Sequence, residues 1–463
     1  MTELPRSTPT EVGVDARRIL AFLDAVADTR TDLHSLMILR RGRVVAEGWW
    51  APYRSDDIQL LYSLSKTFLA TAVGIAIGEG RLDLDDLVAD LIPDHLPDPV
   101  PEHLGLLRVR HLLAMASGHR EETIFRVRAM DDPDLVRAYL SIPPDEPPGT
   151  VFAYNQGNPL TLSQIITTLT GERVVDYLRP RLFDPLGVER AEWTTAADGL
   201  DQGFSGLHVT TESIAKLGQL LLQGGRWGYE QLVPAGFVAD ARRTHVDNRR
   251  HSIAPDWREG YGFQMWMCRY GCQRGDGAYG QFAVLVPDAD AVLVCTAQVI
   301  EMQEQLNLFW DHLVPAVRGE GGDPGADAEL AVRLKQLSTE IIPVGGPAPD
   351  LPFELAPTAV EGPFLRNIEL VRISPLAGGS VMEMRIDGRA HSFVVPAGGW
   401  VDGELPGLHS AFPEVSVTGG WTSPSEFHAD VVSRRTPHRL EVRVTAGVEP
   451  QLAISWTTPP LRL

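Results

Sequence analysis

The chain has 463 residues, enough for a large catalytic domain plus a smaller one, and its 44% hydrophobic against 22% charged residues is the balance of a globular protein with a sizeable core. A formal charge of −20 repels nucleic acid and anionic membrane surfaces, so neither is an expected partner. The three cysteines, Cys268, Cys272 and Cys295, are odd in number and have no second Cys or His pair at ligand spacing beside them. That argues against a disulfide framework and against a four-ligand zinc site, and no metal or organic cofactor is implied.

Met1 to Val14 is polar and rich in Pro and Thr, and no stretch of the chain is long enough to span a membrane. The expectation is a cytoplasmic protein with reduced thiols. Ile19, Leu20, Leu23 and Val26 recur at helical spacing and predict a helix over Asp15 to Ala27. Ser35 to Arg40 and Arg43 to Trp50, divided by Arg41-Gly42, predict two strands joined by a tight turn. A helix follows from Ser63 through Ala70, Val73 and Ile77, stopping near Gly80. Helical signals then dominate to about His245: Val109 to Met115, Leu160 to Leu169 and Thr211 to Leu222 each end on glycine. Strand patterns return at Tyr261 to Arg269, Tyr279 to Val286 and Ala291 to Ala297, and a helix over Gln303 to Val317 closes the unit.

Strands at both ends around a helical middle predict an α/β fold. Its sheet is mixed and mainly antiparallel, with an all-helical lobe inserted. The expected organisation is a catalytic domain over 1–318, a linker and helix over 319–342, and a smaller all-β domain over 343–463, a sandwich or a barrel. Covering the active-site mouth and forming a subunit contact are both open roles for that last domain.

Ser-x-x-Lys places a hydroxyl and an amine one helical turn apart, so the amine can take the hydroxyl proton. The chain carries this spacing twice, at Ser63/Lys66 and at Ser213/Lys216. Ser213 and Lys216 fall on the polar side of an amphipathic helix and are expected to face solvent. The helix after Lys66 is apolar all round until Glu79, which predicts burial and a lowered Lys66 pKa. Ser63 near its N-terminus gains from the free N–H groups there.

Tyr62-Ser-Leu-Ser-Lys-Thr-Phe68 resembles the nucleophile motif of the serine β-lactamase superfamily, especially its class C-like esterases, carboxypeptidases and transacylases. Val109 to Gly118 and Pro148 to Gly157 are similar to further segments of that group, in the same order, so the resemblance covers residues 10 to 318. It implies Ser63 as acylated nucleophile, Lys66 as its partner and Tyr154 as second proton carrier. It also implies an oxyanion hole from the N–H groups of Ser63 and Ala278, and no cofactor. Gln156 stands where the family's Tyr-x-Asn motif has Asn, so either Gln156 or Asn155 meets the substrate. The family's third box, Lys-Thr-Gly or His-x-Gly, corresponds to Gly275-Asp276-Gly277: the cation is missing and an Asp replaces the hydroxyl. Asp276 repels a carboxylate unless Arg274 masks it. Asp276, Gly277 and Arg274 therefore join Asn155 and Gln156 as substrate-binding candidates. Poor β-lactam turnover follows, and a neutral ester or amide, or a cationic substrate for Asp276, fits better. Three functions remain open: a hydrolase of small esters or amides, an acyltransferase or transamidase serving an amine or alcohol acceptor in secondary metabolism, and a non-catalytic binding protein.

Overall fold

The computed structural model describes residues 3–346, 352–363, 365–406 and 413–461. The extreme ends of the expected first and last domains therefore lie outside the described residues. Helix α1 (Ala16–Asp28) is capped by the Asp15 carboxylate, which accepts from the Arg17 N–H. Strands β1 (Leu33–Arg40) and β2 (Arg43–Trp49) form the expected hairpin. From the other end of the catalytic part come β3 (Trp266–Met267), β4 (Gln273–Gly277), β5 (Gln281–Val286) and β6 (Ala291–Ala297). The six strands make one antiparallel sheet in the order β2-β1-β6-β5-β4-β3, with Leu36 opposite Cys295 where the two ends of the chain meet.

Alternation along the strands splits the core into two layers. Leu36, Ile38, Leu293 and Cys295 face α1 and the helical segments of 302–334. Met37, Leu39, Val292 and Val294 face the opposite layer. There lie α2 (Ser65–Gly78), α3 (Gly157–Thr170) and α4 (Thr211–Leu222), together with the short helices of the lobe between β2 and β3. α3 ends where predicted, on Gly171 with φ +71°.

Two expected elements differ. Tyr261 to Arg269 contains strand only at Trp266–Met267, because Gly260 (φ +126°) and Gln264 (φ +55°) turn the chain out of extended geometry. The expected closing helix over Gln303 to Val317 is interrupted by a wider turn at Phe309–Leu313, ahead of Pro315.

The C-terminal all-β region has a core of its own, built from Met382, Met384, Phe393, Phe427, Val442 and Ile454 among others. A four-stranded and a six-stranded sheet enclose it, the larger including antiparallel strands at Glu414–Ser423, Glu426–Ser433, Arg439–Thr445 and Gln451–Trp456. Among the described residues, no helix is long and apolar enough to cross a membrane.

Candidate active site

Tyr62–Leu64 forms a single tight turn that runs straight into α2, and every α2 residue from Ser65 to Ala76 is buried. Lys66 is only 1% exposed. Its Nζ donates to Ser63 Oγ at 2.8 Å and to the Phe204 carbonyl at 2.7 Å. Burial pushes its pKa from the ordinary 10.5 down to about 7, opposed by the more distant charges of Glu122 and Asp276. An amine near half-neutral at pH 7, in hydrogen-bond contact with a hydroxyl, is able to remove that hydroxyl's proton.

Tyr154 closes the other side. Lys66 Nζ lies 4.9 Å from its ring centroid, and the Ser63 side chain is near enough to its hydroxyl to lower its pKa in part. Burial first, then the Asp276 charge, hold its hydroxyl well above the ordinary 10. Tyr154 is therefore a neutral phenol at pH 7, able to give a proton before it takes one. The ring stacks on Trp266 (5.3 Å, 25°), and the Ala153 N–H donates to the Met115 carbonyl at 3.0 Å, fixing the segment that carries it.

The two amides after Tyr154 have different surroundings. Asn155 is fully buried: its Oδ1 accepts from Thr123 Oγ1 and the Gly157 N–H, both at 3.0 Å, and its Nδ2 donates to the Glu121 carbonyl at 3.3 Å. Both ends of that amide are consumed in holding the start of α3. Gln156 is 8% exposed, and its Oε1 is buried without a hydrogen-bond partner. A buried orphan acceptor of this kind is a group waiting for a donor.

Strand β4 supplies the third wall. A Cβ on Gly275 would lie 2.4 Å from Leu64 Cδ1 and 2.7 Å from Thr67 Oγ1, and one on Gly277 would lie 2.0 Å from the Leu61 carbonyl oxygen. The missing cation of the third box thus has a steric cause: the strand lies flush against the Ser63 turn. Arg274 and Asp276 alternate to the other face. Arg274 Nε and Nη2 donate to Asp276 Oδ2 at 3.1 and 2.8 Å, and Trp266 Nε1 donates to Oδ1 at 3.1 Å. Arg274 is itself fully buried, over the Trp257 ring at 4.4 Å, with Nη1 on the Asp256 carbonyl at 2.7 Å. Both carboxylate oxygens of Asp276 already accept hydrogen bonds from protein groups, which favours a neutral substrate over a cationic one. The pair is charge-neutral and leaves no bare charge of either sign. Ala278 lies in the turn between β4 and β5, which the Gly280 N–H closes on the Gly277 carbonyl at 3.2 Å.

The second Ser-x-x-Lys requires a correction. Ser213 and Lys216 are each 4% exposed, not solvent-facing, because the N-terminal segment and the 187 loop cover that side of α4. Lys216 Nζ pairs with Glu212 at 3.5 Å and donates to the Gly187 carbonyl at 3.3 Å. The Ser213 hydroxyl bonds Thr210 Oγ1 at 2.9 Å.

Three site groups escaped the sequence reading: Trp266, the Phe204 carbonyl, and Glu122. The Glu122 carboxylate accepts from the N–H groups of Thr123, Ile124 and Gln156 at 2.8–3.2 Å and so ties two helix starts together. Its signal was present, an acid just ahead of an apolar helical run; a backbone carbonyl leaves none. The cysteines are free and buried. Among the described residues, His428, Asp430 and Glu441 bring ligand atoms within 4.8 Å of one another, but they lie in the C-terminal region, with Arg439 3.5 Å from Asp430.

A helical lobe over an antiparallel sheet, with a lysine-paired serine opening a buried helix, defines the class of serine acyl-transfer enzymes. Residues 24–301, more than half of the chain, match the family model described as Beta-lactamase, and the chain belongs to that family. It is 28% identical over 316 residues to the 6-aminohexanoate-dimer hydrolase of Paenarthrobacter ureafaciens, covering 62% of this chain and 79% of that protein. Among solved structures it is similar to EstCE1, described as a hydrolase with promiscuous acyltransferase activity. The TM-score is 0.54 at 19% identity, over 66% of this chain and 98% of that one. The octameric penicillin-binding protein homologue from Pyrococcus abyssi shares the fold over 93% of this chain and 96% of its own, with TM-score 0.53 and 13% identity. That likeness extends through the C-terminal β region. The chain is an enzyme of the serine hydrolase and acyltransferase class.

Proposed function

We propose that the enzyme cleaves a small neutral ester or amide through an acyl-enzyme on Ser63. The observation that carries this is the buried Lys66 amine, near pKa 7 and 2.8 Å from Ser63 Oγ. Lys66 takes the hydroxyl proton as Ser63 attacks the carbonyl carbon. The N–H groups of Ser63 and Ala278 receive the oxyanion. As the carbon–oxygen or carbon–nitrogen bond breaks, Tyr154 donates its proton to the leaving group. The Gln156 amide binds the acyl portion, since its Oε1 is unpartnered and Asn155 is spent on the loop.

The Arg274–Asp276 pair gives the third wall no net charge. A neutral substrate fits that wall, and poor β-lactam turnover is the expected consequence of the absent third-box cation. Acyl transfer to an alcohol or amine is the second reading. It is supported by the described acyltransferase activity of the similar EstCE1.

The test is incubation with p-nitrophenyl esters, linear amides including the 6-aminohexanoate dimer, and a penicillin, with and without amine or alcohol acceptors. Intact-mass analysis and peptide mapping follow the adduct. The expected adduct is on Ser63, and an adduct on another residue contradicts the mechanism. Faster turnover with an amine and a matching amide product selects acyl transfer over hydrolysis.

A further inference from the structure

The Ser63 N–H of the proposed oxyanion hole lies on the peptide that follows Tyr62, whose backbone is left-handed with φ +47°, and the residue after Ala278, Tyr279, is left-handed too, with φ +65°. For non-glycine residues such a backbone is strained and persists only where neighbours hold it. The Tyr62–Ser63 peptide carries the Ser63 N–H, so the torsions of Tyr62 aim that donor.

The holding groups come from the C-terminal β region. Tyr62 Oη lies 2.6 Å from His438 Nε2, and His438 Nδ1 lies 2.8 Å from the Thr458 carbonyl. A carbonyl only accepts, which places the imidazole proton on Nδ1 and leaves Nε2 to accept from the Tyr62 hydroxyl. The Leu461 N–H reaches the same hydroxyl at 3.4 Å, and Tyr279 Oη donates to the Pro459 carbonyl at 2.5 Å. The three rings pack edge to face, with Tyr62–Tyr279 centroids at 5.5 Å, Tyr62–His438 at 5.9 Å and Tyr279–His438 at 5.4 Å. His438 and Tyr62 are 3% and 4% exposed, so these bonds are shielded from competing water. The contact belongs to a wider seam: the Leu60 N–H donates to the Arg435 carbonyl at 2.8 Å, and Arg439 pairs with Asp32 at 2.5 Å.

We infer that the C-terminal β region sets the oxyanion hole, with His438 as a positioning residue that acts through Tyr62, and the Pro459–Leu461 segment as a second clamp through Tyr279. This rests on the catalytic reading of Ser63 above. His438 touches no reacting atom in this scheme. Its bond fixes the left-handed Tyr62, and Tyr62 aims the Ser63 N–H.

The experiment compares an oxoester with its thionoester, since sulfur is a poor acceptor and the ratio of their kcat/KM values reports how well the hole is formed. Both substrates are read on one preparation, so any loss of folded enzyme cancels in the ratio. In full-length His438→Ala the ratio is expected to fall about tenfold, with kcat on the oxoester falling more than KM rises. Tyr62→Phe, a change of one hydroxyl, should do the same, and His438→Gln, which keeps an acceptor near the Nε2 position, should recover most of the loss. An unchanged ratio in His438→Ala and Tyr62→Phe, with the Ser63 adduct still forming, overturns this inference alone. Absence of any Ser63 adduct on the wild-type enzyme overturns the catalytic reading, and this one with it.

Discussion

The two Ser-x-x-Lys pairs share a spacing, a place near the start of a helix and a depth of burial, yet they are chemically unlike. Lys216 has a carboxylate against it, Glu212, whose own second partner is Arg6 at 2.9 Å. Lys66 has a hydroxyl, a carbonyl and an aromatic face, with no carboxylate in contact. A buried ammonium without a counter-ion sheds its proton, as burial makes Lys66 do. Geometry alone does not make an amine a base. The missing negative charge does.

The sharpest break in that comparison is the proposed nucleophile. Ser63→Ala is expected to abolish acyl-adduct formation and lower ester turnover by at least about 10³-fold, while Ser213→Ala stays within about twofold in the same assay. Next is the amine: Lys66→Met should lower kcat by about 10²–10⁴, measured by initial rates at saturating ester. Tyr154→Phe should cost about 10²-fold, and more for a poor leaving group that needs a proton than for p-nitrophenolate.

Protonation sharpens the contrast further. Lys66 must be neutral to accept a proton, so kcat/KM should climb as pH rises through about 7, and Lys66→Met should lose that limb. The stability sign is the same. Between about 7 and the ordinary 10.5 the unfolded chain holds the Lys66 proton and the folded chain does not, so Lys66 makes the protein more stable as pH rises across that window. Denaturant titrations at a series of pH values, wild type against Lys66→Met, read that slope. The smallest effect is expected at the second pair. Lys216→Met should leave catalysis unchanged and cost about 1–2 kcal/mol of unfolding free energy, because Arg6 still neutralises Glu212.

Periodicity carried most of the catalytic fold. The β1–β2 hairpin, the bounds of α4 and the wholly buried α2 follow from spacing 2 and spacing 3.6 and need no tertiary information. Strand β4 was legible only as a motif, since Gln-Arg-Gly-Asp-Gly has no apolar alternation; it is held by pairing to β5 on one side and by lack of space against Leu64 and Thr67 on the other. The burial of Lys216 was misread because residues about 200 positions earlier in the chain, Leu4 and Arg6, cover Glu212 beside it, and a helical wheel cannot register such a cover. For the same reason the masking of Asp276 by Arg274 was conceivable from sequence but not decided there. The seam between His438 and Tyr62 joins residues 376 apart, and neither lies in a pattern that announces it.

The close seat of β4 on the Ser63 turn bears on how this scaffold can be retargeted. Grafting a lysine or histidine onto position 275 to capture a carboxylate would wedge apart the strand and the helix that together build the catalytic centre. New specificity has to be written elsewhere in the site, for which Gln156, with its unpartnered Oε1, is the first candidate.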